Sequence, residues 1–235
     1  MSSSHIILIT ICIFIPQILG SDPLFHFCSS SENFTENSSY QNNLHKVNLT
    51  LFTKTPPSGF GSASSGRVYG IALCRGDVSR RDCQTCVAES ATEIRKRCPY
   101  NKAAIIWYDY CLFKYADEAF FGRIDNGNKF YMWNIRVVSE PVSFNEKTKE
   151  LLTGLTQKAY VNPRLFETGE MQLDGSTKLY GLVQCSRDLS SDVCKICLDD
   201  IIREIPACCD GKEGGRVVSG SCNFRYEIYP FVNSY

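Results

Sequence analysis

Apolar positions along the chain follow two periods, and the whole pattern occurs twice. Val68-Tyr69-Gly70-Ile71-Ala72-Leu73-Cys74 and Leu179-Tyr180-Gly181-Leu182-Val183-Gln184-Cys185 are short β-prone runs bounded by turn formers, and they predict strands. Beyond each run, Ser79 and Ser190 stand where a helix N-cap belongs, and the segments to Cys98 and Cys209 read as helices. In the second of these, Cys194, Cys197 and Ile201 share one face at i, i+3 and i+7. Ala103 to Tyr115 and Arg216 to Tyr229, rich in Val, Ile, Tyr and Phe around a cysteine, predict strand pairs. An earlier helix is marked by Leu44, Val47 and Leu51, and its later counterpart by Leu151, Leu152, Leu155 and Ala159 behind a Ser143-x-x-Glu146 capping box. Each half is therefore expected to be α+β, with two helices on an antiparallel sheet.

The halves are copies of one another. Cys74, Cys83, Cys86, Cys98 and Cys111 recur as Cys185, Cys194, Cys197, Cys209 and Cys222, each displaced by the same 111 residues, and Tyr69-Gly70, Asp77, Ser79, Phe113 and Tyr115 move with them. Solenoid repeats run to about 20–50 residues, so this period is a domain duplication. The expected division is a leader at 1–20, a first domain at 21–139 and a second at 140–235, with the junction at Ser139-Glu140-Pro141-Val142. Divided there, the first domain has 14 basic and 11 acidic residues and the second 11 and 14, hence +3 and −3. Opposite signs favour contact between the copies, weakly because exposed charges are screened. A compact tandem is expected.

Charge and cysteine usage set the compartment and exclude some chemistry. With 25 basic and 25 acidic residues the chain lacks the cationic footprint of a nucleic-acid binder. Ile6 to Ile15 are apolar apart from Thr10, and Pro16, Gly20 and Ser21 follow, which predicts a secretory leader cut near Gly20. No later run approaches the roughly 18–20 apolar residues of a membrane span, and no hydrophobic tail closes the chain, so a soluble secreted product is expected. Loss of Cys12 with the leader would leave twelve cysteines, an even number suited to an oxidised framework. Asn33, Asn37 and Asn48 each open an Asn-x-Ser/Thr sequon and are candidate glycan acceptors.

Catalytic and metal readings find little support. Cys83-x2-Cys86 has half-zinc-site spacing, but export favours disulfides. After the leader only His26 and His45 could serve a cysteine nucleophile. Asp117-Glu118 and Asp199-Asp200 read as solvated faces or turns, and Gly211-Lys212-Glu213-Gly214-Gly215 lacks the spacing of a phosphate loop. No catalytic residue, metal or cofactor is expected.

The Cys-x8-Cys-x2-Cys pattern, the preceding Tyr-Gly, and Gly214-Gly215-Arg216-Val217 through Cys222-Asn223-Phe224-Arg225-Tyr226-Glu227 closely resemble plant cysteine-rich repeat secretory proteins with two ginkbilobin-homologous, or salt-stress-response/antifungal, domains. Spacing alone leaves the cysteine pairing open. The resemblance implies Cys28 with Cys98, Cys74 with Cys83 and Cys86 with Cys111, then Cys185 with Cys194 and Cys197 with Cys222. The second copy has no counterpart of Cys28 at the matching place and carries adjacent Cys208 and Cys209, for which a vicinal bridge, free thiols and pairing with another chain all stay open.

Mannose-binding members resemble this chain at an Arg six residues before the last cysteine and a Glu five residues after it, here Arg216 and Glu227. A guanidinium offers donors and a carboxylate acceptors, which together suit vicinal hydroxyls. The resemblance also implies an Asn just after the amino-terminal cysteine, which has no reference cysteine in the second copy. In the first copy the three places hold Ile105, Ala116 and Ser29, so that copy is not expected to bind this way. The plain alternative is a cross-strand ion pair between Arg216 and Glu227, worth about 0–1 kcal/mol if exposed. The functional expectation is a secreted stress or defence protein that binds mannose-type glycans, and is antifungal, through the second copy. The alternative is a soluble protein-binding module that pairs with receptor-like ectodomains or competes for their partners, using the inter-copy groove or a sheet edge, and the apolar strand Ile105-Ile106-Trp107-Tyr108 leaves room for it.

Overall fold

The structure, a computed structural model, describes residues 22–28 and 32–233, so the expected leader and Ser29 lie outside the described residues. In chain order the first copy runs β1 (Phe25–Cys28), α1 (Ser39–Ser58), β2 (Phe60–Ser65), β3 (Val68–Cys74), α2 (Arg80–Arg97), β4 (Ala104–Trp107) and β5 (Cys111–Ala116). The second runs β6 (Lys129–Trp133), α3 (Pro141–Ala159), β7 (Phe166–Gln172), β8 (Lys178–Cys185), α4 (Ser191–Ile202), α5 (Ile205–Cys208), β9 (Gly214–Ser219) and β10 (Cys222–Glu227). Each copy builds one five-stranded antiparallel sheet, ordered β1-β4-β5-β3-β2 and β6-β9-β10-β8-β7. The strand β6 precedes Ser139 yet is bonded into the second sheet, so that sheet draws on chain ahead of the expected junction.

Strand alternation gives every sheet two apolar faces. Ala72, Cys74, Ala104, Ile106, Phe113 and Tyr115 pack under α1 and α2, and Val183, Val217, Phe224 and Tyr226 pack under α3 and α4. The intervening residues Ile71, Ile105, Trp107 and Leu112 form a third core with Phe130 and Val218 of the other copy. The sheets therefore stand back to back with the helices outside. Trp107 Nε1 donates to Ser219 O at 3.2 Å and Gln184 Nε2 to Cys74 O at 3.0 Å, tying the two copies through buried hydrogen bonds. No helix among the described residues is long and apolar enough to cross a membrane.

Helix ends follow local chemistry. Ser79 and Ser190 cap α2 and α4 by accepting from the N–H groups of Asp82 and Val193. The capping box expected at Ser143 and Glu146 does not form. The helix α3 begins three residues earlier, with Pro141 in its first turn, where a missing N–H costs nothing, and Glu140 makes no side-chain cap. The single helix expected up to Cys209 is also broken. Pro206 occupies the place of Arg95 in the unbroken α2, and its ring and absent donor end α4 at Ile202 before the short α5.

Bridges join Cys28 to Cys98, Cys74 to Cys83, Cys86 to Cys111, Cys185 to Cys194 and Cys197 to Cys222, and adjacent Cys208 and Cys209 are joined to each other. Within each copy the last of the 111-residue-matched bridges staples a helix to the strand beneath it. Each long-loop bridge of this kind stabilises by roughly 2–4 kcal/mol.

Candidate functional site

The pairing of β9 with β10 sets Arg225 opposite Arg216 and Glu227 opposite Gly214. All three charged side chains therefore leave the sheet on the side facing the first copy. A Cβ at Gly214 would collide with the Glu227 carboxylate, so the glycine is what lets that carboxylate lie down on the neighbouring strand. Arg216 and Glu227 do not form the cross-strand ion pair that was the plain alternative, because each has another partner. Glu227 accepts from Arg225 Nε at 3.0 Å. Arg216 Nη1 donates to Asp109 Oδ1 at 2.7 Å, across the boundary between copies.

Asp109 sits in the turn between β4 and β5 and collects three arginines. Besides Arg216 it receives Arg75 Nη1 at 2.9 Å and Arg225 Nη1 at 3.4 Å. Arg75 also grips Asp77 through Nε and Nη2, at 2.6 and 2.8 Å. Burial pushes the Asp109 carboxyl up, but Arg216, Arg75 and Arg225 outweigh it and hold the group below its usual range. Burial lowers Arg216 from the ordinary guanidinium value, with Asp109 opposing. The Arg216 Nε is a buried donor without an acceptor.

These groups floor an open concavity of about 410 Å³. Asp109, Asn134, Arg216, Arg225 and Glu227 supply its polar lining, and Leu24, Met132 and Tyr229 add apolar surface. The chain after β10 contributes Tyr229 to the lining and is then held against the first copy: the Phe231 ring lies 4.3 Å from the Arg225 guanidinium carbon, and Asn233 N donates to Asp77 Oδ2 at 2.8 Å.

Asn134 is a lining residue that the cysteine spacing missed. Cys28 pairs with Ala104, and Trp133 pairs with Gly215, the 111-residue match of Ala104. Trp133 thus takes the place of Cys28 only 105 residues on, and Asn134 follows it as Ser29 follows Cys28. The signal lies in strand pairing, since counting from cysteines finds nothing at this place.

The same concavity in the first copy is altered. Its walls include Ile105, Lys114 and Ala116, matching Arg216, Arg225 and Glu227, and the connector from β5 to β6 adds Phe120 and Asp125. Lys114 Nζ lies 4.3 Å from the Phe120 ring centroid and 2.6 Å from Asp125 Oδ2.

The remaining candidates are scattered. Asn33 and Asn37 are exposed, whereas Asn48 lies inside α1 with a buried Oδ1 lacking a partner. The strand Ile105-Ile106-Trp107-Tyr108, expected to offer a docking surface, is buried throughout, because Ile105 and Trp107 face the second copy while Ile106 and Tyr108 face the helices.

The family model described as salt stress response/antifungal matches twice, at residues 27–118 and 134–229. The chain belongs to that family. An antimicrobial ginkbilobin-2-like protein of Castanea crenata is 57% identical over 218 residues, covering 91% of this chain and 90% of that one. Cysteine-rich repeat secretory protein 38 of Arabidopsis thaliana is 56% identical over 218 residues, covering 90% and 86%. Among solved structures, the tandem DUF26 ectodomain of the Arabidopsis thaliana cysteine-rich receptor-like protein PDLP8 aligns with a TM-score of 0.78 at 22% identity, over 88% of this chain and 98% of that one. The family's tandem fold is thus the α+β arrangement described above, two five-stranded antiparallel sheets with helices and several disulfides.

Proposed function

We propose that this chain is a secreted plant stress and defence protein that binds mannose-type glycans through its second copy. The observation that carries the reading is the meeting of Arg216, Glu227 and Asn134 around one open concavity, with Leu24, Met132 and Tyr229 beside them. Donors and acceptors converge there with apolar surface for the carbon face of a sugar ring. Two arginines stand against two carboxylates, a balance suited to an uncharged polyol. Its relatives are named as secretory and antimicrobial proteins, which supports export and a defensive role. The alternative, pairing with receptor-like ectodomains, is left with the inter-copy groove or a sheet edge, since Ile105 to Tyr108 are buried.

A glycan array with the secreted protein, followed by calorimetry on mannose and short mannosides, tests the proposal. A single shallow site of this size should bind monosaccharide weakly, with Kd on the order of millimolar, and gain through multivalent display. Arg216→Ala and Glu227→Gln should each abolish the array signal, and Asn134→Ala should weaken it. A blank array for the wild type, or full binding by Arg216→Ala, would remove the sugar reading.

A further inference from the structure

We propose that Asp109, delivered by the first copy into the second copy's concavity, sets the charge of that site and hence its choice of uncharged over acidic saccharides. The inference rests on the glycan-binding reading above and adds a specificity-determining residue to it. The floor holds Arg216 and Arg225 against Asp109 and Glu227. Glu227 engages Arg225, so the carboxylate that meets Arg216 comes from the other domain, at 2.7 Å. Without Asp109, Arg216 would lose its charged partner while still nine-tenths buried, and Arg75 and Arg225 would each lose an acceptor. The place vacated would be a ready site for a ligand carboxylate or sulfate, with charge-assisted hydrogen bonds from guanidinium groups already aimed at it.

The first copy supplies an internal comparison. Gly220 stands at the match of Asp109 and brings no side chain, while Lys114 stands at the match of Arg225. There the connector provides the missing anion. Asp125 meets Lys114 at 2.6 Å, and a Cβ at Gly220 would collide with the Asp125 carboxylate. In both halves a carboxylate from outside the sheet reaches the cation at this place on the strand, Asp125 at Lys114 and Asp109 at Arg225, the latter at 3.4 Å beside Glu227 of the same strand. The second copy's site is therefore incomplete without the first copy, which supplies the carboxylate that meets Arg216.

The test uses the full chain and three variants, Asp109→Asn, Asp109→Glu and the double variant Asp109→Asn with Arg225→Gln. Each is probed on an array of neutral mannosides and uronate or sulfated glycans, and by inorganic sulfate titration followed at the arginine Nε–H signals. Asp109→Asn should move the ratio of acidic to neutral binding by about tenfold or more, and should saturate with sulfate where the wild type does not. Asp109→Glu should keep the wild-type ratio, and the double variant should return toward it. Equal loss on both glycan classes in Asp109→Asn, with no gain of sulfate binding, would make Asp109 merely structural and overturn the inference. Sulfate binding gained by Asp109→Asn, beside a wild type blank on all mannosides, would keep the role of Asp109 and reject the mannose reading.

Discussion

Replacing Trp107 tests whether the two sheets share a core. The indole is 3% exposed, and its ring centroid lies 5.8 Å from Phe27 of its own copy and 5.2 Å from Phe130 of the other. Its Nε1 donates to Ser219 O at 3.2 Å, also across the boundary. Truncating a buried aromatic of this size costs about 3–5 kcal/mol, so Trp107→Ala should remove a large part of the coupling between copies. Trp107→Phe keeps most of the ring and loses the donor, and should cost about 1 kcal/mol beyond the lost area. Denaturant unfolding followed by hydrogen exchange reads both effects. In Trp107→Ala the amides of β4 and β9 should lose protection while α1 and α3 keep theirs, and unfolding should separate into two transitions. A cost below about 1 kcal/mol with unchanged protection on β4 and β9 would mean that the sheets do not rely on this core.

Two further predictions concern charge and glycans. Asp109 and Asp125 both have folded pKa values held below the usual 3.8, burial being outweighed by the arginines in one case and by Lys114 and Asn128 in the other. A depressed carboxyl contributes stability that is present above its unfolded value and lost as pH falls through the folded one. Protection at the inter-copy boundary should therefore be level from neutrality down to about pH 4 and fall below it, and a fall beginning near pH 6 would contradict the assignment. Peptide mapping after enzymatic deglycosylation should find more glycan on exposed Asn33 and Asn37 than on Asn48, which is half-buried within α1. Full occupancy of Asn48 with none at Asn33 and Asn37 would contradict the order set by exposure.

Much of the fold could be read from apolar periodicity because the second copy checks the first. The runs ending at Cys74 and Cys185 and the helices capped by Ser79 and Ser190 carry strong local signals, and the structure has β3, β8, α2 and α4 there. The edge strands were not legible. Phe60-Gly61-Ser62-Ala63-Ser64-Ser65 is small and polar, and it becomes β2 through pairing with β3 rather than through its own propensity. The sites divide in the same way. Arg216 and Glu227 lie at fixed distances from a cysteine, whereas Asp109 is a turn residue whose meaning comes from the other copy. Asn134 stayed hidden because the first strand of the second sheet has slipped out of the 111-residue register.

That slip and the vicinal bridge are two ends of one change. In the first copy Cys28 on the edge strand β1 is stapled to Cys98 at the end of α2. In the second, Trp133 stands in the place of Cys28, so Cys209 must find another partner. Pro206 breaks the helix just ahead of it, and Cys208 replaces Arg97 and supplies that partner. Room for the new bridge comes from the sheet. Gly215 replaces Ala104, and a Cβ there would sit 2.8 Å from Cys209 Cβ and 2.9 Å from its sulfur. The edge strand β6 consequently lacks a staple to its helix. It is held by pairing with β9 and by Glu204, which takes Lys129 Nζ at 2.6 Å and Tyr131 OH at 2.7 Å. Met132 lies on this strand and Asn134 follows directly after it, so this wall of the concavity is fastened by hydrogen bonds and an ion pair, where the first copy's counterpart is fixed by sulfur. The copy that carries the polar floor is thus also the copy whose edge strand has no disulfide.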